Sequence, residues 1–317
     1  MNPANGRLLL ICTGPLAALV QALPALTDLQ HRRPGLSLDW LVDARWAELP
    51  RLHPVVKRVI AVHPSRWRAL LADAQARAAF GQVRQQLLAE AYDLVIDLDG
   101  RRAGLVWALQ TRAPVVGFDR AQCAEPVTAL AYRRSTAVPA DWPPHERPRL
   151  LLAAQLGLPV PDTVADFGLV PPSAPWRPPV LSAGLLAGHA DDDPWPDAHW
   201  QAVGERLRRA RLTPVWLSTD AASHDRATRL AQATDGQAPA PLGIGPLAAV
   251  LAAVRLVVAR GPDAAWLAAA LGRRTLALLA DADRPRPAGP RTLTVASGPQ
   301  APTPAVAMAA LEQWLKT

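Results

Sequence analysis

An acidic loop occupies the position between a strand and a helix at which α/β proteins commonly bind an anion. Asp191–Asp193 open the stretch DDDPWPDAHW, which follows a strand-like run and precedes a helix predicted from Asp197. The N-terminus of a helix that follows a strand commonly binds phosphate through its free N–H groups. Three carboxylates could instead ligate a divalent metal ion, but negative charge at a helix start also complements the helix dipole. We favour this last interpretation and predict no metal site.

Two further residues could act as acid–base groups. His189 follows the strand-like run Val180–Ala187, and an imidazole there could accept a proton from a substrate. Asp263 opens a predicted helix beside Pro262. Each also has a structural interpretation, as an exposed loop histidine and as a first-turn carboxylate. We favour the structural interpretation for both residues, and keep them as the candidate catalytic residues.

The elements that position these residues alternate between strand and helix along the chain. The clearest strand is Tyr92–Leu98, YDLVIDL, and a proline-rich stretch at 157–179 interrupts the alternation. This pattern predicts an α/β fold with two Rossmann-like, doubly wound domains. We place an N-terminal domain at 1–160, a linker at 161–179, and a C-terminal domain with its closing helix at 180–317.

The charge of the chain limits its partners. The 317 residues are 50% hydrophobic and carry a formal net charge of +7. Such a composition excludes a disordered chain, and the positive charge favours an anionic partner such as a phosphorylated lipid surface or a nucleotide. Nucleic acid is not expected, because the arginines are scattered and no nucleic-acid-binding motif is present.

The first apolar segment has two interpretations. Residues 8–27 carry no charge and resemble a signal peptide. Because Gly14-Pro15 breaks the run and a parallel sheet needs a first strand, we predict a buried strand, a turn and a core helix instead. The only two cysteines, Cys12 and Cys123, are too few for a disulfide framework or a thiolate metal site. The sequence therefore favours a cytoplasmic protein.

Five segments carry a resemblance to a known family. They are LPALTD at 23–28, RWR at 66–68, YDLVIDLDG at 92–100, FDRAQCAEP at 118–126 and WPDAHW at 195–200. In their order and spacing the chain resembles the lipopolysaccharide heptosyltransferase I family, within glycosyltransferase family 9. The resemblance implies a GT-B fold and inverting transfer of heptose, without a cofactor, from an ADP-activated donor to the Kdo sugar of inner-core lipid A. It also implies a cytoplasmic protein peripheral to the inner membrane.

The chain departs from the family where the chemistry is expected. That chemistry needs a general base for the acceptor hydroxyl and cationic or amide groups for the departing diphosphate. The family's base position is Ala18, and its phosphate-binding lysine falls on Asp193. At ~4 Å and an effective dielectric of about 20, this second change turns roughly 4 kcal/mol of attraction into repulsion. The other altered donor-side positions are Gly188, His189, Gly261, Pro262, Asp263 and Asp283.

These departures favour a homologue with impaired or lost catalysis. Such a protein would act by binding a partner protein or a lipid A-type precursor, and we expect weak or no binding of an ADP-sugar. The alternative is an active inverting glycosyltransferase that uses replacement residues. A scaffold subunit with a vestigial site, within a homo-oligomer or a larger assembly, is a third possibility.

Three basic residues match the family on its acceptor side. Arg66 and Arg68 fall at the start of a helix predicted from about Arg66 to Glu90, and Arg147 falls near the end of the first domain. Arginine suits bidentate contact with phosphate, so these residues could bind a phosphorylated lipid A-type acceptor or an anionic membrane. Ordinary surface charge is the other interpretation, and the sequence leaves both open.

Overall fold

The alternating pattern folds into two parallel sheets, each within its own unit of the chain. In the computed structural model the first unit covers residues 1–170 and the second covers residues 171–317, so the boundary falls inside the predicted linker. The structure describes residues 6–64, 73–139, 141–188, 195–279, 286–287, 289, 291–296 and 302–315.

The first unit contains a six-stranded, all-parallel sheet. Its strands run in the spatial order β3-β2-β1-β4-β5-β6, the order of a Rossmann fold. The order reverses between β1 and β4, which are hydrogen-bonded neighbours. The strands are β1 (Arg7–Cys12), β2 (Ser37–Asp43), β3 (Val56–Val62), β4 (Leu94–Asp97), β5 (Val115–Phe118) and β6 (Arg134–Thr136).

Local sequence explains most helix boundaries in this unit. Pro15 precedes the first helix, and Gly157, in the left-handed conformation at φ 63°, ends the last. Asp73 caps the second helix through the Gln75 N–H, so the described helix begins at 74 and the predicted start at Arg66 is wrong. The helices are α1 (Leu16–Arg32), α2 (Ala74–Leu88), α3 (Arg102–Ala108) and α4 (Glu146–Leu156), with 3₁₀ turns at Ala44–Trp46, Pro50–Leu52 and Pro126–Ala131.

The second unit contains a five-stranded parallel sheet. Its spatial order is β11-β10-β9-β7-β8, which is also doubly wound, with the reversal between β7 and β9. The strands are β7 (Ser182–Leu186), β8 (Thr213–Trp216), β9 (Leu256–Arg260), β10 (Arg274–Leu279) and β11 (Thr292–Ala296). The helices are α5 (Asp197–Arg209), α6 (Ala221–Ala233), α7 (Ile244–Ala253), α8 (Pro262–Ala270) and α9 (Pro304–Leu315).

The uncharged N-terminal segment lies at the centre of the first sheet. Residues 8–27 form most of β1 and the first two-thirds of α1, as the strand, turn and helix interpretation predicts. Cys12 and Cys123 are both buried and free. Among the residues that the structure describes, no helix is long and apolar enough to cross a membrane.

A buried arginine joins α4 to α1. The Arg149 side chain is 1% exposed and donates to both carboxylate oxygens of Asp28 on α1, at 2.7 and 3.1 Å. It also donates to Glu146 at 2.9 Å. Because a buried guanidinium is stable only when it is paired and hydrogen-bonded, these contacts fix the docking of α4 on α1.

Candidate active site

The carboxyl end of β4 carries two acidic residues beside the end of β1. Asp97 is fully buried and pairs in register with Ile11. Its Oδ1 accepts the backbone N–H groups of Asp99, at 3.2 Å, and Gly100, at 2.9 Å. Its Oδ2 accepts the hydroxyl of Tyr132 at 2.8 Å. Asp97 is therefore held by donors on both oxygens, at the point where the strand order reverses and α/β proteins commonly bind ligands.

The carboxylate of Asp99 accepts fewer hydrogen bonds than that of Asp97. Its side chain is 7% exposed, and its Oδ2 accepts the Thr13 N–H at 2.8 Å and lies 3.7 Å from Arg101 Nε. Its buried Oδ1 has no hydrogen-bond partner. A Cβ placed on Gly14 would lie 3.2 Å from Asp99 Oδ2 and 3.6 Å from the Ala18 Cβ. Asp99 therefore lies beside position 18, where the resemblance leads one to expect a carboxylate.

Burial makes Asp99 a weak acid. Desolvation, followed by the charge of Asp97, raises the pKa of Asp99 to about 8, although Arg101 opposes the shift. Desolvation also raises the pKa of Asp97, against the hydrogen bond from Tyr132 and the backbone donors. Burial and the charge of Asp99 raise the pKa of the Cys12 thiol well above its usual range. The two neighbouring carboxyl groups therefore keep a proton to higher pH than exposed carboxyl groups do.

The corresponding edge of the second sheet is built mainly from turns. Gly188 follows β7 at φ 71° and Gly261 follows β9 at φ 82°, a region that favours glycine. Pro262 is the first residue of α8, and Asp263 lies in its first turn. This is the arrangement that the structural interpretation of Asp263 predicts.

A buried arginine stabilises the backbone at this edge through hydrogen bonds to carbonyl oxygens. The Arg226 side chain is 2% exposed and donates to the carbonyl oxygens of Ala187, at 3.1 Å, and Trp195, at 2.7 Å. It also donates to Asp197 at 2.8 Å. Its guanidinium is therefore occupied by protein groups, and it stabilises the backbone on both sides of the acidic loop.

Comparison with known proteins settles the family. Residues 80–313 match glycosyltransferase family 9 (heptosyltransferase). The chain belongs to glycosyltransferase family 9. The predicted family is confirmed, and membership places the chain among the heptosyltransferases of lipopolysaccharide biosynthesis.

Individual family-9 proteins match both units. The chain is 36% identical over 285 residues to lipopolysaccharide heptosyltransferase 1 of Pseudomonas aeruginosa, covering 86% of this chain and 78% of the relative. It is 32% identical over 285 residues to the Escherichia coli K12 protein of that name, covering 87% and 88%. The structure of E. coli heptosyltransferase WaaC with ADP matches with a TM-score of 0.87 and 26% identity, covering 98% of this chain and 99% of that chain. The predicted α/β fold of two Rossmann-like domains with GT-B architecture is thereby confirmed.

Several of the predicted family-9 positions lie outside the described residues. They are Arg66, Arg68, His189, Asp193 and Asp283, together with the rest of the acidic loop. Their roles as catalytic, donor-side or acceptor-side residues stay predictions. Within the described ranges, no group of three or more His, Cys, Asp or Glu residues is placed to hold a metal ion.

The described family-9 positions have ordinary structural surroundings. Ala18 lies half-buried in the first turn of α1. Arg147 lies in the first turn of α4, where its Nε donates to the Trp142 carbonyl oxygen at 3.1 Å. A contact of Arg147 with phosphate stays a prediction.

The acidic cluster of the first sheet was not predicted from the sequence. One signal was present, since Asp99 directly follows the clearest strand and precedes Gly100 in the motif DLDG. Carboxylates that follow a parallel strand are natural site residues, because the carboxyl ends of neighbouring strands meet at one edge. The contributions of Thr13 and Tyr132 were not visible, because they depend on strand pairing and on the chain's path after β5.

Proposed function

We propose that this chain is a glycosyltransferase of lipopolysaccharide inner-core assembly. It transfers a heptose from an ADP-activated donor to a hydroxyl group of a lipid A-type acceptor. The names of its relatives support the reaction class, and the structure of WaaC with ADP supports the donor. The observation that carries the proposal is the buried carboxylate of Asp99, which lies beside Ala18 at the strand-order reversal of the first sheet.

This proposal selects the alternative that sequence analysis ranked second. The loss of a carboxylate at Ala18 favoured an inactive homologue, but Asp99 lies beside that position. A site that had lost its function would gain stability by replacing a buried, incompletely paired carboxylate with a neutral residue. The presence of Asp99 therefore favours continued chemistry.

The reaction itself provides the first test. Purified protein would be incubated with ADP-heptose and Kdo-lipid A, and the product would be detected by mass spectrometry beside E. coli WaaC as a positive control. We expect a product heavier than the acceptor by one heptose unit, and weaker ADP binding by calorimetry than WaaC shows under the same conditions. Absence of product from the folded protein, with an active control, would contradict the proposal.

A non-catalytic binding protein is the second candidate. It is favoured by the donor-side turn, where Gly261-Pro262-Asp263 contains no hydroxyl group and no cation. It is also favoured by a cavity of about 420 Å³ at the amino edge of the second sheet. Arg255, Arg273, Arg274 and Arg291 line this cavity, and clustered guanidinium groups suit phosphorylated ligands.

For both candidate functions we propose that the protein acts at the cytoplasmic face of the inner membrane, where it would bind a lipid-linked acceptor. The net charge of +7 supports attraction to anionic lipid. Vesicles with and without anionic lipid would be sedimented with the wild type and with the double variant Arg66→Glu/Arg68→Glu. We expect binding that needs anionic lipid, falls with salt and weakens in the variant. Equal binding to vesicles with and without anionic lipid would contradict this location.

The matched control for the vesicle experiment is Arg209→Glu. The Arg209 side chain is 73% exposed on α5, beside Glu205, so Arg209→Glu changes the net charge by two units away from the predicted acceptor side. If Arg209→Glu weakened binding as much as the double variant, attraction would depend on net charge rather than on a defined surface.

A further inference from the structure

Three buried polar atoms at the end of β1 and β4 lack hydrogen-bond partners. They are Thr13 Oγ1, Asp99 Oδ1 and Arg101 Nε. Buried polar atoms are nearly always paired, by protein, water or a ligand. Thr13 Oγ1 and Asp99 Oδ1 both face Gly104 on α3, at 3.6 and 3.8 Å from a Cβ placed there, and Arg101 Nε lies 3.7 Å from Asp99 Oδ2. The Asp99 carboxylate therefore lies between α3 and the loop at Gly14, with Oδ2 on the side of Gly14 and Ala18.

We propose that Asp99 is the catalytic base, which receives the proton of the acceptor hydroxyl through Oδ2. This inference rests on the proposed function, and it moves the base from the first turn of α1, just past the loop after β1, to the loop after β4. The two loops meet at Gly14, where the missing side chain leaves Asp99 Oδ2 and the Ala18 Cβ on either side of the same small space. A carboxylate on the second loop can therefore serve the reacting group that a carboxylate at position 18 would serve.

The surroundings of Asp99 orient it for this role. Its Oδ2 accepts the Thr13 N–H at 2.8 Å, and a carboxylate oxygen has a second lone pair that can accept the substrate hydroxyl. Asp97 contacts the backbone N–H of Asp99 at 3.2 Å and is itself held by Tyr132. Asp97 is therefore a positioning residue. The Arg101 side chain is 43% exposed, so the cluster reaches solvent at Arg101, where an anionic substituent of the acceptor can pair with it.

The reaction step balances without any further reactant. The acceptor oxygen forms a bond to the anomeric carbon of the donor sugar, while the bond from that carbon to the diphosphate oxygen breaks. The electron pair of the broken bond leaves with ADP. The hydroxyl proton passes to Asp99 Oδ2, and solvent removes it after the product dissociates.

The charged and titratable groups around Asp99 predict its pH dependence. Asp97 on β4 and Cys12 on β1 lie on the buried side, and Arg101 lies on the exposed side. Burial and Asp97 raise the pKa of Asp99 to about 8, so the basic form accumulates as the pH rises toward that value. Transfer by the wild type should therefore accelerate up to about pH 8 and then level off.

The experiment measures kcat/KM for heptose transfer between pH 5.5 and 9.5. Asp99→Asn keeps the shape of the side chain and should lower kcat/KM by about 10²- to 10⁴-fold, the usual contribution of a general base, and should remove the rise toward pH 8. Asp99→Glu, which keeps a carboxylate, should retain more activity than Asp99→Asn. Asp97→Asn removes the neighbouring charge, so its pH profile should shift toward lower pH.

Two further variants make the test specific. Asp162→Asn changes a carboxylate that is 89% exposed and should leave kcat/KM unchanged. Adding Ala18→Asp to Asp99→Asn supplies a carboxylate from the other loop and should restore part of the lost rate. Circular dichroism of each variant checks that it is folded.

Each outcome bears on one proposal. An active wild type together with an Asp99→Asn variant of near-normal kcat/KM and unchanged pH profile would overturn the assignment of Asp99, while the proposed function would stand. A folded wild type that makes no product beside an active WaaC control would overturn the proposed function, and the assignment with it. Carbon-13 NMR titration of the Asp99 carboxyl group is independent of activity, and an ordinary pKa near 4 would also count against the assignment.

Discussion

Replacing Asp99 with Asn should stabilise the protein, and the gain should grow with pH. The carboxyl group is 7% exposed and lies against a second buried carboxylate, Asp97. Asn has nearly the same shape, can still accept the Thr13 N–H, and carries no charge at any pH. The variant therefore removes the ionisation of residue 99 and leaves the packing in place.

The direction of the pKa shift determines whether Asp99 raises or lowers the free energy of unfolding. The pKa of Asp99 rises from 3.8, its value in an unfolded chain, to about 8 in the folded protein. Above about pH 4 the unfolded chain gives up this proton while the folded protein keeps it, so the free energy of unfolding falls as the pH rises toward 8, and then levels off. At 1.36 kcal/mol per pKa unit, the full shift corresponds to at most about 5–6 kcal/mol. Because the two carboxyl groups share this cost, we expect a difference of about 2–4 kcal/mol at pH 8.

The assay is urea unfolding at pH 4.5, 6, 7 and 8.5, followed by tryptophan fluorescence. Wild type, Asp99→Asn and the exposed control Asp162→Asn would be compared at each pH. The difference between Asp99→Asn and the wild type should be small at pH 4.5 and largest at pH 8.5. Groups that do not contact residue 99 titrate alike in both proteins and cancel in this difference.

Parallel pH dependence of the wild type and Asp99→Asn would refute the reasoning, because it would mean that Asp99 ionises equally easily in the folded and unfolded chains. A variant that is less stable than the wild type at every pH would refute it as well. In that case the hydrogen bonds of the carboxylate would outweigh its desolvation.

Three further predictions concern buried polar groups. Arg149→Met should lower the free energy of unfolding by about 3 kcal/mol, because it leaves Asp28 without its buried partner; urea unfolding measures this. Arg226→Met should have a similar cost in the second unit, whereas Arg209→Met, at a side chain that is 73% exposed, should change stability by less than about 0.5 kcal/mol. Burial lowers the pKa of His53 to about 4. The stability that the neutral imidazole contributes should therefore be complete above about pH 6.5 and should decline as the pH falls toward 4. His53→Gln should remove up to about 3 kcal/mol of this pH dependence, which urea unfolding at several pH values measures. For Arg149→Met, Arg226→Met and His53→Gln, an effect within experimental error of zero would contradict the contacts described.

Most of the fold could be predicted because its signals are local. The apolar runs of the parallel strands and the caps and prolines of the helices are read from neighbouring residues. The edge strands β6 and β11 were missed, since RST and TLTVA are short or half-buried and become strands by pairing with β5 and β10. The start of α2 was placed too early because Asp73, its capping residue, was not recognised.

The candidate site was predicted in part. Sequence comparison could show that Ala18 and Asp193 lack the expected charges, because such departures are visible position by position. It could not show what stands beside Ala18. The candidates that it offered, His189 and Asp263, were drawn from the second half of the chain, whereas the buried carboxylate pair lies in the first unit.

The sequence by itself determined the α/β class, the two-unit organisation of strands and helices, and the family, because hydrophobic periodicity and motif spacing are properties of the linear chain. Only the tertiary structure decided that Asp99 lies against Thr13, 86 residues away, and beside Ala18. That proximity arises because β4 pairs with β1 at the point where the strand order reverses. Burial at this edge then changes the acidity of Asp99, and acidity is a property of the surroundings of a residue, which its sequence neighbours do not specify.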